Sequence, residues 1–268
     1  MPRSARPALK SSALATLIPL LLIAGGCDIA MADHSEKATA EWKKTFQLTA
    51  GGRVEISNVN GKVEVLAGDG NSVEVYAKKT GSAGTPEGAK EALGRIEIAE
   101  TASAGEVKIE TKITRSGGWH NSGATVEYVV RVPKNIDLKA VTVNGGVEVR
   151  GVEGRVIAEA TNGGVRGREI SGPLEASTTN GGVDVEVTRI TDAGLKLECT
   201  NGGIVLKLPS DAKASIAARV TNGGIDTNNL AIQTVGEASN RRLNGDLNGG
   251  GPRISLEGTN GGIKISAR

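Results

Sequence analysis

Aromatic side chains make up only 2% of this 268-residue chain: two Trp, two Tyr and one Phe. A globular sandwich or α/β core of that size draws heavily on such residues, so the scarcity argues for a thin core filled by small aliphatic side chains. Histidine is nearly absent. His34 and His120 are far apart in the chain, and neither has a second His or Cys placed to complete a catalytic triad or a zinc site. The two cysteines, Cys27 and Cys199, provide no disulfide framework. Charge of one sign is missing too. Lys plus Arg number 32 and Asp plus Glu 30, and removing an N-terminal segment with Arg3, Arg6 and Lys10 takes the net charge of +2 slightly below zero. No basic patch of the kind nucleic-acid binding requires is present.

Glycine is plentiful, with 38 residues, and its arrangement is periodic. Thr-Asn-Gly-Gly followed by Val or Ile begins at Thr161, Thr179, Thr200, Thr221 and Thr259. A variant with Val in place of Thr begins at Val143. From Asn144 the next three spacings are 18, 18 and 21 residues, and another 21 leads to Asn222. Self-similarity at a fixed period is the signature of a repeat architecture. Apolar or small residues fall six, four and two positions before each Asn, as in Leu195, Leu197 and Cys199 before Asn201 and Leu138, Ala140 and Thr142 before Asn144. They fall again three and five positions after it, as in Ile204 and Leu206. The residues between are mostly polar. This alternation predicts strands with one dry and one wet face.

Asn-Gly alone would suggest hairpin turns, but separate hairpins give no reason for one shared phase and nearly one period. The chain is therefore expected to be an all-β, single-chain β-solenoid with coils of about 18–21 residues. Asn144, Asn162, Asn180, Asn201, Asn222 and Asn260 should stack at one corner, about one strand spacing apart. Another segment is expected between Asn222 and Asn260, where the coils are interrupted. The template also occurs upstream, with Val54 and Ile56 before Asn60-Gly61 and Val63 and Val65 after it.

Residues 1–27 read as a secretory signal, with a basic start and an apolar run over 13–24 that is too short to span a membrane. Ala24-Gly25-Gly26-Cys27 resembles a lipobox, which would place lipid on Cys27. Cleavage after Ala32 is the alternative. Residues 28–43 are expected to be a tether and 44–268 the solenoid domain. An N-terminal excursion from about Gly81 to Pro133 should contain a short helix, capped by Thr85 with Pro86 at its first position. Strands are expected around Ile96, Val107 and Val126, and residues 228–252 should be irregular.

The order of these features resembles the bacterial DUF4097 family. The resemblance rests on Val54 to Val65, on Pro133-Lys134-Asn135 leading into the repeats, and above all on the ending from Leu243 to Ile265. It implies a secreted or envelope-bound β-helix. The family's adhesin label is a conjecture and carries no catalytic residues to transfer.

Residue chemistry gives little to an enzyme. Asp184 and Asp226 follow Gly-Gly after one residue, but Glu148, Arg166, Val205 and Lys264 hold the equivalent place, so no calcium-ligand ladder is expected. Cys199 lies in an inward column and reads as a small buried hydrophobe. A single exposed Thr column beside Glu, Ser and Lys is not the flat double array ice binding needs. Trp119 with His120, and the Arg241-Arg242 loop, are the candidate binding surface. The expected function is a non-catalytic envelope scaffold that presents a face to cell-wall glycan, peptidoglycan or an envelope protein. It would be held to a membrane by the lipid and need no cofactor or metal. The competing reading is a polysaccharide lyase or hydrolase on a β-helix, with Arg241, Arg242 and Asp246 as its residues.

Overall fold

A computed structural model describes residues 35–114, 122–228, 230–235 and 239–268. The chain opens with strands β1 (Glu36–Gln47), β2 (Arg53–Asn60), β3 (Val63–Gly68) and β4 (Ser72–Ala83). Helix α1 (Pro86–Gly94) follows, then β5 (Ile96–Ala102), β6 (Glu106–Ile113) and β7 (Gly123–Pro133). Coils of two strands come next: β8 (Asp137–Asn144) with β9 (Val147–Arg150), β10 (Val156–Asn162) with β11 (Val165–Ile170), β12 (Leu174–Asn180) with β13 (Val183–Val187), and β14 (Leu195–Asn201) with β15 (Ile204–Leu208). The chain ends with β16 (Ala214–Asn222) and β17 (Ile225–Asp226), then β18 (Ile232–Thr234) and β19 (Arg242–Leu247), then β20 (Arg253–Asn260) and β21 (Ile263–Ala267).

The first strand of each coil joins one long sheet and the second joins another, with parallel pairing throughout the repeats. Register is identical from coil to coil: Leu138, Val156, Leu174, Leu195 and Ile254 lie side by side, as do Val147, Val165, Val183, Ile204 and Ile263. These columns face inward and are buried, forming one continuous aliphatic core. Period-two alternation therefore does what it predicted, and the solenoid is confirmed.

Glycine fixes the corner. Gly145, Gly163, Gly181, Gly202, Gly223 and Gly261 all have positive φ. A Cβ on any of them would lie 1.9–2.3 Å from the carbonyl oxygen of a corner glycine in the neighbouring coil. No side chain fits in that gap, so Gly is obligatory on contact grounds as well as on backbone grounds. The buried residues two positions before the Asn help hold this corner. The Thr142 and Thr178 hydroxyls donate to the carbonyls of Gly61 and Gly163 at 3.1 and 2.7 Å, and the Cys199 thiol donates to that of Gly181 at 3.1 Å.

The spatial order of coils departs from chain order at both ends. The β2–β3 coil lies between β6–β7 and β8–β9. The C-terminal β20–β21 coil lies between β14–β15 and β16–β17. No segment intervenes between Asn222 and Asn260, contrary to expectation. Their strands pair directly, and Asn260 instead separates Asn222 from Asn201. Every coil carries the same template, so each accepts either neighbour, and the sequence alone does not rank them.

Two further expectations are corrected. Residues 36–43, expected in the tether, begin β1, which pairs antiparallel with β4 along its whole length. Within 228–252, β18 and β19 pair antiparallel beyond β16 and close that end of one sheet. The helix is where Thr85 and Pro86 place it: Thr85 Oγ1 accepts the Gly88 N–H at 3.1 Å. It packs on β4 so closely that a Cβ on Gly81 would sit 2.3 Å from the Ala89 carbonyl oxygen. Among the described residues no helix is long and apolar enough to cross a membrane.

Leu197 is fully buried, whereas Glu198 beside it is half-buried on the outer face and paired only with Lys196. Leu197→Ala should therefore cost about 2–5 kcal/mol and Glu198→Ala less than about 0.5 kcal/mol. Urea midpoints check this, and equal midpoints would mean that the inward phase is misassigned. Gly163→Val should destabilise by more than the roughly 1–3 kcal/mol of backbone strain alone, because its side chain must also displace the next coil. Deleting residues 253–268 should abolish cooperative unfolding rather than trim one end, since it removes an interior coil; a cooperative transition in the truncated chain would refute the interleaved order.

Candidate functional site

The seven corner asparagines form a hydrogen-bonded ladder. The Asn144 amide donates to Asn60 Oδ1 at 2.7 Å. Asn162 donates to Asn144, Asn180 to Asn162, Asn201 to Asn180, Asn260 to Asn201 and Asn222 to Asn260, all at 2.8–2.9 Å. Asn60 closes one end by donating to the Ala124 carbonyl at 3.0 Å. Every side-chain amide group is thus spent as a donor, and among the described residues only the Asn222 Oδ1 at the far end accepts nothing, which makes the corner a structural seam.

Beside the seam, on the outer face of β9, β11 and β13, a depression of about 400 Å³ lies over Gly146, Gly164 and Gly182. Its lining charges balance in number, Lys62 and Arg166 against Glu148 and Asp184, although Arg166 forms no ion pair among the described residues. Lys62 reaches Glu148 at 2.8 Å and Glu64 at 2.9 Å. Arg168 grips Asp184 with two bonds of 3.0 and 2.5 Å just beyond the rim. The hydrogen bond from Lys62 holds the Glu148 carboxyl below its ordinary pKa, and the bond that Arg168 donates to Asp184 raises the guanidinium's own pKa.

The opposite corner differs. One position before the inward column, Arg155, Pro173, Gly194 and Arg253 line up on adjacent coils. Pro173 and Gly194 have no long side chain, so a depression of about 540 Å³ opens between the two arginines, floored by Leu174, Ala193 and Leu195. The arginines stand about three strand spacings apart, roughly 14 Å. Glu175 and Lys196 complete the lining. Arg155 contacts Glu175 at 2.6 Å, and Lys196 turns to Glu198 at 2.8 Å. Arg253 has no ion-pair partner among the described residues. Three cations face one lining carboxylate.

A third groove, also about 540 Å³, runs over β1, β4 and β7 near Tyr76 and Arg131. Here the cations are committed. Lys43 lies 2.8 Å from Glu41 and 5.0 Å from the centre of the Tyr76 ring, covering the face a sugar would need. Lys44 pairs with Glu100. The Tyr76 hydroxyl donates to Glu41 at 3.0 Å.

Of the residues singled out in the sequence, Cys27, Trp119 and His120 lie outside the described residues. Arg241 and Arg242 are exposed at the start of β19, where the Arg241 carbonyl accepts from Val220 and Arg242 stands opposite Arg219. They do not converge with Asp246, whose Oδ1 accepts from the Ser215 hydroxyl at 2.7 Å. The acid–base cluster required by a lyase is therefore not assembled there. Burial pushes the Cys199 thiol up, away from thiolate reactivity. No group of three or more His, Cys, Asp or Glu poised for a metal exists among the described residues. The Arg155–Arg253 depression was missed from sequence, because its residues belong to no motif and meet only through coil register.

Residues 152–266 match the family model described as Toastrack DUF4097. No curated protein matches the chain. Among solved structures, a proposed cell adhesion protein from Clostridium sporogenes aligns with a TM-score of 0.50 at 13% identity, covering 86% of this chain and all of that one. This likeness is one of fold. A proposed adhesin from Bacteroides fragilis covers 85% of this chain and 97% of its own at 9% identity, with a TM-score of 0.31. A proposed lipid-binding protein from Parabacteroides distasonis covers 85% and 96% at 9% identity, with a TM-score of 0.25. The family resemblance legible in the sequence is thus matched over residues 152–266.

Proposed function

We propose that this chain is a non-catalytic cell-envelope scaffold that binds an acidic polymer of the envelope, and that its contact site is the Arg155–Arg253 depression. The observation that carries the proposal is the charge imbalance there: three cations, one lining carboxylate, and an arginine free of any described ion pair. A guanidinium pairs with carboxylates through a planar fork. Two such groups about three coils apart suit successive acidic residues of a linear glycan, where weak contacts add. Catalysis draws no support from the outer faces. Their titratable groups are mostly solvent-accessible and stand alone or in isolated pairs, whereas catalytic sites gather groups with strongly shifted pKa values. Comparison with adhesion-related structures supports the scaffold reading, and the N-terminal signal supports an envelope location with lipid on Cys27.

Purified protein should be retained on polyuronate and on peptidoglycan, releasing no new reducing or unsaturated ends. Arg155→Glu with Arg253→Glu should weaken retention by at least about tenfold, since each lost charged contact is worth about 1.5–3 kcal/mol in favourable cases. Unchanged retention would remove the depression from the mechanism. New chain ends, lost in Arg241→Ala or Arg242→Ala, would establish the lyase reading. Mass spectrometry of the mature N-terminus tests the anchor independently: lipidated Cys27 is expected, and an unmodified chain beginning at Asp33 would refute it.

A further inference from the structure

The ladder is built from Asn-Gly, the dipeptide with the least steric protection against cyclisation of the asparagine side chain. In that reaction the following amide nitrogen, deprotonated by hydroxide, attacks the Asn Cγ. The Cγ–Nδ2 bond breaks, and Nδ2 leaves as ammonia after taking a proton from water. Water then opens the five-membered succinimide at either carbonyl, yielding aspartate or isoaspartate. Two things are needed: a glycine amide free to lose its proton, and an asparagine side chain free to turn toward it.

Six of the seven corner pairs deny the first requirement. The N–H groups of Gly61, Gly145, Gly163, Gly181, Gly202 and Gly261 donate to the carbonyls of Asn144, Asn162, Asn180, Asn201, Asn260 and Asn222 at 2.7–2.9 Å. The seventh, Gly223, follows the last rung, where no further coil supplies a carbonyl. Its N–H has no backbone acceptor among the described residues. It is also the exposed member of the set, the other six being half-buried. The second requirement follows the same pattern. Asn144, Asn162, Asn180, Asn201 and Asn260 are held through both side-chain atoms, whereas Asn222 donates to Asn260 Oδ1 and its own Oδ1 accepts nothing among the described residues.

We propose that Asn222–Gly223 is a site of spontaneous deamidation, the one open rung in a ladder that otherwise protects its Asn-Gly pairs. Conversion replaces the amide that donates to Asn260 with a carboxylate, setting two acceptors face to face and adding a negative charge at the end of the seam. The β16–β17 coil then loses its rung to the β20–β21 coil, so the modification loosens the terminal coil as the molecule ages.

Local sequence does not decide between rungs, because Asn162, Asn180, Asn201, Asn222 and Asn260 all lie in the same Thr-Asn-Gly-Gly tetrapeptide. This makes a clean test. The full chain is incubated folded at mildly alkaline pH, then digested and mapped by mass spectrometry with isoaspartate detection. A parallel sample is held unfolded in urea. The unfolded chain should modify all five at similar rates. In the folded chain Asn222 should modify at least about tenfold faster than Asn162, Asn180 or Asn201, which react only through local opening of the ladder. Asn222→Ser should remove the early product and leave the slower ones unchanged. Parity between Asn222 and the interior rungs in the folded protein would overturn the proposal. So would silence at Asn222 when the unfolded chain reacts there.

Discussion

Everything in this fold depends on how closely the coils approach at the glycine corner. The space where a Cβ would stand on Gly163 ends 1.9 Å away at the carbonyl of Gly145, and the same contact recurs at each step. Once that approach is fixed, the Asn side chains are brought within hydrogen-bonding range and the aliphatic columns fall into layers. A one-residue slip would turn every inward side chain outward. The corner sets the register, and the core rewards it. Thr142, Thr178 and Cys199 add donors to the same carbonyls from inside, which explains small side chains with weakly polar atoms in an otherwise apolar column.

Much of this was legible because the repeat states it many times. Leu197 and Glu198 declare opposite faces by alternation alone, and Thr85-Pro86 declares the helix. What stayed hidden depends on which coil lies beside which. Asn201, Asn222 and Asn260 carry the same corner, so nothing local says that Asn260 belongs in the middle. Residues 36–43 of β1 read as tether because their half-buried side chains, Ala38, Ala40 and Trp42, offer little aliphatic bulk among Glu, Lys and Thr. Arg155 and Arg253 are 98 positions apart and meet only through stacking. A surface assembled from one residue per coil is invisible until the order of coils is known.

The outer faces show a division of labour. Some charges there are answered by an opposite charge on the same or the neighbouring coil, as Lys62 is by Glu148 and Arg168 by Asp184, and others stand alone. Such exposed pairs add little stability. In the depression between Arg155 and Arg253 the lining cations outnumber the carboxylate three to one, which is why it stands out electrostatically despite its ordinary shape.

The interior position of the C-terminal coil governs the time course of folding. A solenoid ordinarily grows by adding each coil to the last, with contacts of short sequence separation. Here β16 is made before β20 but cannot reach its final place against the rest until β20 has entered beside β14. The edge of β14 lacks its native neighbour until residues 253–268 are available, and pairing across such a gap is slow. Residues 253–268 thus act as a keystone between β14 and β16. In the finished molecule the keystone lies between two coils, so unravelling from the chain end must first pull a central course out of the wall.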